Sequence, residues 1–141
     1  MLKGIDPRLS PDLLFLLAQM GHGDRLALVD RNYPAESAGV PVVRMDAVDL
    51  ISSLEAVLSV FPVDTFVEHP VAGMNHVDTP DVVPEVQTAA FDLVNRVEGR
   101  DVGIERIERF AFYAAARECF VVVITGEDRP YGCVMLTKGV L

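Results

Sequence analysis

The chain contains no tryptophan, only two cysteines (Cys119 and Cys133) and only three histidines (His22, His69 and His76). Two thiols cannot make the disulfide framework on which small secreted domains depend. A chain of 141 residues is long enough to bury a sufficient core without one. Both cysteines are therefore expected as free thiols in a reducing compartment. Positive charge is scarce: 12 Lys and Arg stand against 21 Asp and Glu, a formal net charge of −9. That argues against nucleic acid and against a membrane surface as partners, since both demand clustered basic residues. Neutral small molecules and other proteins remain. Long apolar runs are missing as well. The longest, around Leu13–Ala18 and Phe120–Ile124, fall far short of the roughly 20 residues of a membrane-spanning helix. Met1–Pro7 holds no signal-peptide core, so a cytoplasmic location is the expectation.

Several chemical signatures are absent too. No His-Glu-X-X-His or Cys-X-X-Cys spacing occurs, and no serine sits in a nucleophile elbow. No metal and no cofactor are expected. Gly21-His22-Gly23-Asp24 is too short for a phosphate loop, and Asp24 would repel an anion.

What is present has globular proportions: 50% of residues are hydrophobic and 23% charged, in the length of one domain spanning 1–141. Ser10-Pro11-Asp12 is a helix start, with Ser10 as cap, Pro11 at the first helical position and Asp12 at the positive end of the dipole. Leu13, Leu14, Leu17 and Met20 repeat at helical spacing, and Gly21 is the expected left-handed stop. Leu26 and Leu28 mark a short strand ending at Asp30. Residues 32–37 read as loop, Val40–Met45 as strand, and a helix capped by Asp46 as running through Val60. Val63–Glu68 alternates as a strand, and Val71–Met74 is another candidate. A helix beginning at Pro84 closes near Gly99. Ile104–Ile107 is a weaker strand, Phe110–Cys119 a helix, and Phe120–Thr125 a buried strand. A turn at Gly126–Pro130 leads to a final strand over Tyr131–Thr137. Strands alternating with helices predict an α/β fold. The last two strands, joined by a tight turn, predict one antiparallel pair and hence a mixed sheet.

His22 is the first candidate for chemistry. A lone histidine is more often structural or merely exposed than functional. Two flanking glycines, which let a ligand approach the backbone, favour the functional reading, as does Asp30 at the far end of the adjoining strand. Glu108-Arg109-Phe110-Ala111-Phe112-Tyr113 reads as a strand-to-helix junction with an aromatic core, in which Arg109 could pair with one of the 21 acids. Tyr131-Gly132-Cys133 reads as a strand start after a turn. Cys133 is expected to be a small buried residue, and Asp64 could be a solvated strand residue. The residues alone thus indicate a small α/β domain in which His22 is a possible acid/base group.

The sequence also resembles the RbsD/FucU family of sugar pyranases and mutarotases, and most closely its L-fucose mutarotase branch. The resemblance runs nearly end to end. It is carried by Met1-Leu2-Lys3, Leu9–Leu14, Met20-Gly21-His22-Gly23-Asp24, Asp30 with Tyr33-Pro34-Ala35, and Arg44-Met45-Asp46. It continues through Pro62–Phe66, Arg106–Tyr113, Thr125-Gly126-Glu127, Tyr131-Gly132 and Lys138-Gly139. It implies a three-layer α/β/α fold with a mixed sheet. It also implies a sugar mutarotase that interconverts the α and β anomers of a free monosaccharide, most closely L-fucose. His22 would then be the proton donor. Asp30, Arg109, Tyr131, Gly132 and Cys133 would bind the sugar, with Asp64 and Tyr113 lining the same pocket. The ribose-type branch carries histidine where Arg109 stands. The family's Tyr-Gly-Asn triplet ends here in Cys133, which bears on sugar identity more than on reaction type. Homo-oligomers with the site between subunits are implied, with no metal or cofactor. A D-ribose pyranase activity and a non-catalytic sugar-binding oligomer linked to uptake or sensing are the alternatives.

Overall fold

Ser10 opens the first helix of the computed structural model, which describes residues 1–141. Its hydroxyl accepts the Leu13 N–H, and Pro11 occupies the first helical position of α1 (Pro11–Gln19). The predicted left-handed stop at Gly21 is not used. Met20 is extended and Gly23 carries the positive φ, 87°. The reason is that the Lys138 ammonium donates to the carbonyls of Leu17 and Met20, both at 2.7 Å. A cation at the negative helix end satisfies groups that a left-handed cap would otherwise serve.

Six strands form one sheet: β1 (Arg25–Val29), β2 (Val42–Met45), β3 (Val71–Met74), β4 (Ile104–Ile107), β5 (Val121–Thr125) and β6 (Val134–Thr137). Their order is β2-β5-β1-β6-β3-β4. β6 runs antiparallel to β1 and β3, while the remaining neighbours are parallel. The sheet is mixed, as the sequence predicts, but β5 and β6 do not pair. β1 lies between them. The segment that joins them is no tight turn; it crosses the carboxyl end of β1, where the Arg31 N–H donates to the Glu127 carbonyl at 3.1 Å.

The other elements depart locally. α2 (Leu50–Leu58) is capped by Asp49, whose carboxylate accepts the Ser52 N–H. Asp46, the predicted cap, is held instead by the Arg44 guanidinium at 2.8 Å. The predicted strand over Val63–Glu68 reduces to a single bridge from Val63 to Lys138. The Asp64 carboxylate accepts the N–H groups of Phe66 and Val67 and bends the chain there. A short 3₁₀ turn, Ala35–Ala38, lies within the predicted loop region. α3 (Glu85–Glu98) ends at Gly99, where φ is 66°, and α4 (Arg109–Ala116) is capped by Glu108. No helix is long and apolar enough to cross a membrane.

The period of two along each strand makes the layers. Leu26, Leu28, Val121, Val123, Val134 and Leu136 point to the face covered by α1, α2 and α3. Ala27, Val29, Val122, Ile124 and Met135 point to the opposite face, against Tyr33, Phe112 and Ala116. The result is a three-layer α/β/α arrangement. Phe112, on the buried face of α4, the helix that also carries Arg109 and Tyr113, is fully buried. Phe112→Ala should cost about 3–5 kcal/mol. Chemical denaturation checks this, and an unchanged midpoint would mean that α4 is held by other contacts.

Candidate active site

β1 is a central strand, and the candidate residues gather at its two ends. At the carboxyl end lies a cavity of about 270 Å³, lined by Asp30, Asn32, Tyr33, Met74, Arg109, Tyr113, Pro130, Tyr131 and Cys133. This is below the roughly 300–1,000 Å³ of pockets for drug-sized ligands and suits a single small ring. Asp30 follows β1 directly and is buried. Its Oδ1 accepts the Asn32 N–H at 3.0 Å, and its Oδ2 accepts the Cys133 thiol at 3.5 Å. Cys133 precedes β6, which pairs with β1, so strand register places the thiol beside the acid. Burial, followed by the Asp30 charge, pushes the Cys133 thiol well above its ordinary value. It is a neutral S–H donor, and no thiolate nucleophile. Gly132 does not line this cavity, yet a Cβ there would meet the Glu127 Cγ at 2.8 Å and touch the Asp30 Cβ at 3.6 Å. A side chain at 132 would collide with Glu127, which shapes the segment beside the pocket acid.

α4 supplies the opposite wall. Arg109 and Tyr113 stand one turn apart, and Arg109 Nε donates to the Tyr113 hydroxyl at 3.0 Å. That bond, with the charge beside it, raises the guanidinium pKa further. The guanidinium carbon lies 5.4 Å from the ring centres of both Phe110 and Tyr113. Its terminal nitrogens remain for a ligand. Tyr33 packs edge-on against Tyr113 at 5.2 Å, and its buried phenol is pushed to higher pKa mainly by desolvation. Tyr131 stacks on His76 at 4.6 Å, and its hydroxyl accepts the Val77 N–H at 3.4 Å.

His22 and Asp64 lie at the other end of β1, five residues or roughly 17 Å of extended chain away. His22 Nε2 is 2.9 Å from Asp64 Oδ1, and its ring packs on Phe66 at 5.0 Å. The His22 side chain is 46% exposed, whereas that of Asp64 is 1% exposed. Burial opposes ionisation of Asp64. The Val67 N–H, His22 and the Phe66 N–H outweigh it and hold the carboxyl below its ordinary value. An ionised Asp64 only accepts, so Nε2 carries the proton and Nδ1 is the free ring nitrogen of neutral His22. Within one chain, then, Asp30, Arg109, Tyr113, Tyr131 and Cys133 meet at one cavity. His22 and Asp64 form a separate pair. No three His, Cys, Asp or Glu side chains converge as a metal site would require.

Sequence reasoning did not single out Tyr33, Asn32, Met74 or Pro130 as pocket residues, nor the groups behind the walls. Glu127 carried a signal, as part of Thr125-Gly126-Glu127. Its side chain is buried, accepts the N–H of Arg129 and of Leu50, and pairs with the Arg129 guanidinium at 2.8 Å. These bonds shape the segment between β5 and Tyr131. Arg129, above all, lowers the Glu127 carboxyl to about 2, from 4.5. A depressed carboxyl contributes stability above its unfolded value, and that stability is lost as pH falls through the folded value. Wild type should therefore lose melting temperature between about pH 4.5 and about pH 2 more steeply than Glu127→Gln. Parallel slopes for the two proteins would refute the assignment.

Known proteins resemble this chain in both sequence and fold. The sequence profile of the RbsD / FucU transport protein family matches residues 3–141. An L-fucose mutarotase of Actinobacillus pleuropneumoniae is 43% identical over 140 residues, covering 99% of this chain and 97% of that protein. The crystal structure of FucU from Bifidobacterium longum superposes with a TM-score of 0.92 at 39% identity, covering 99% of each chain. The crystal structure of the fucose mutarotase from Streptococcus pneumoniae in complex with L-fucose superposes equally well, TM-score 0.92 at 33% identity, again over 99% of each chain. Matched across almost its entire length in sequence and in fold, the chain belongs to the RbsD/FucU family.

Proposed function

We propose that this protein is an L-fucose mutarotase acting as a homo-oligomer, in which His22 of one protomer serves the cavity of another. The observation that carries the reading is the cavity itself. It sets one carboxylate, one guanidinium and three tyrosine rings around a volume fit for one sugar ring, in a chain 43% identical to a protein named for that activity. Asp30 and the terminal nitrogens of Arg109 hold sugar hydroxyls by charge-assisted hydrogen bonds. Tyr113 and Tyr131 offer flat apolar faces and hydroxyls.

Mutarotation breaks and remakes one bond. A base takes the proton of the anomeric hydroxyl while an acid protonates the ring oxygen, and the C1–O5 bond opens to the free aldehyde. Rotation about C1–C2 presents the other carbonyl face, and the reverse proton transfers close the ring. Histidine exchanges protons near neutral pH, and Nδ1 of His22, the nitrogen left free by Asp64, is the atom that takes up a proton and, as imidazolium, donates it to the ring oxygen. In this reading Asp64 acts on the imidazole rather than on the sugar. A rate gain of about 10⁶ asks for about 8 kcal/mol. Acid–base catalysis supplies about 10²–10⁴ of it, and positioning the remainder.

A second copy enters because β1 keeps His22 and Asp30 apart in a single chain. The surface around His22 suits association: Phe66 is 71% exposed beside it and Val67 49% exposed. A cytoplasmic location fits the two free, buried thiols.

His22→Ala and Asp30→Ala should each abolish α/β exchange of L-fucose, read by NMR, while remaining folded. Co-assembled in equal amounts, they should recover about a quarter of wild-type activity, because one site in four then joins an intact His22 to an intact cavity. No recovery from mixed oligomers would end the shared-site reading. L-Fucose binding without exchange in wild type would instead favour the non-catalytic binder.

Cys133→Asn should tighten L-fucose binding by a few-fold to about tenfold, the worth of one hydrogen bond. It should also sharpen preference for L-fucose over D-ribose, D-galactose and D-arabinose. An unchanged panel would mean that residue 133 does not touch the sugar.

A further inference from the structure

We propose that Gln87 is a positioning residue for the sugar cavity: its side-chain amide holds the Tyr131 backbone in the conformation that makes Tyr131 a cavity wall. This rests on the reading of the cavity as a sugar site.

Tyr131 has φ 63°, the one non-glycine residue of the chain with positive φ. For a bulky aromatic residue that conformation is costly and persists only where surrounding bonds enforce it. Gln87, in the first turn of α3, is fully buried. Its Nε2 donates to the Tyr131 carbonyl at 2.8 Å and to the Met74 carbonyl at 2.6 Å. Both partners only accept, which fixes the amide with nitrogen toward them. Tyr131 and Met74 both line the cavity, one on the segment before β6 and the other at the end of β3. A single NH₂ group therefore ties two walls together from behind.

The rest of the side chain shows how closely this arrangement is specified. Gln87 Oε1 is buried without a partner. A buried acceptor left unpaired is unfavourable, so the site retains the amide at a cost. Gly73 in β3 makes room for it: a Cβ there would stand 2.5 Å from Oε1 and 2.8 Å from the Phe91 ring. Other contacts on Tyr131 act elsewhere on the residue. His76 packs on the ring and the Val77 N–H reaches the hydroxyl. Gln87 is the side chain that holds its main chain.

Gln87→Met keeps the length and removes both donors. The L-fucose KM should rise about fivefold or more with kcat within about twofold, because a preformed wall binds substrate and transition state alike. In the crystal structure of the variant, Tyr131 should leave the left-handed region. Gly73→Ala keeps the amide but displaces it, and should raise KM in the same way; it serves as the test if Gln87→Met does not fold. A wild-type KM in either folded variant, or an unmoved Tyr131 backbone in the Gln87→Met crystal, would overturn the proposal. Should wild type neither bind nor interconvert L-fucose, the functional reading fails, while the Tyr131 backbone in the variant crystal still decides the role of Gln87.

Discussion

The antiparallel pairing of β6 on β1 is the constraint from which both halves of the proposed chemistry follow. The register joins Arg25 to Thr137 and Leu28 to Val134. Beyond Thr137 the chain supplies Lys138, which closes α1, and Gly139, whose Cβ would stand 2.8 Å from the Asp64 Cα. The Asp64 N–H donates to the Thr137 carbonyl, and the Gly23 N–H to the Lys138 carbonyl. The His22–Asp64 pair is thus assembled on one end of β6. The other end begins with Cys133 against Asp30, preceded by Tyr131 and Gly132. Because the two groups sit at opposite ends of β1 and β6, the same pairing that builds them keeps them apart, and in the proposed oligomer a second copy closes the gap.

Buried polar groups then decide the shape of the loops. Thr125 Oγ1 donates to the Val29 carbonyl at 2.9 Å and accepts the Glu127 N–H at 3.2 Å. Glu127 passes the constraint to Leu50 and Arg129, and Gln87 ties Tyr131 to Met74. An apolar core would tolerate several arrangements of these segments. A buried carboxylate or amide tolerates few, because each unmade bond leaves a desolvated group costing about 1–3 kcal/mol. Part of the cavity wall is irregular chain, at Asp30–Tyr33 and Pro130–Cys133, and there polar side chains beneath the surface hold its shape.

That division explains what was legible in the sequence. Local signals read well: the Ser10-Pro11 start of α1, Gly99 closing α3, and the apolar run of β5 each encode their element within a few residues. Two local readings failed. Arg44, two residues away, engages Asp46, and Asp49 caps α2; Lys138, distant in sequence, replaces a glycine stop after α1. The order of the strands was not legible, since a short segment between β5 and β6 imitates a hairpin until Glu127 is seen to anchor it across β1. Asp30 could be suspected from its place at a strand end. Arg109, Tyr113, Tyr131 and Cys133 became a group through family resemblance, and the fold places them at one cavity. Gln87 left no trace beyond being a polar residue next to the apolar positions Val86 and Ala90 of an amphipathic helix.

The proposed substrate, a free hexose, is neutral overall before and after mutarotation, so a formal net charge of −9 does not steer it. Discrimination must come from hydrogen bonds inside the cavity, and these report small displacements faithfully. In the proposed reading, a weak thiol donor at Cys133 leaves Asp30 less engaged than an amide would, which places more of the recognition on Arg109 and the tyrosines. Those groups hold their positions through others: Arg109 through Tyr113, Tyr113 through Tyr33, Tyr131 through Gln87 and His76. For the proposed neutral ligand, with no charge to anchor it, affinity and selectivity would therefore reside as much in this supporting layer as in the atoms that touch the sugar.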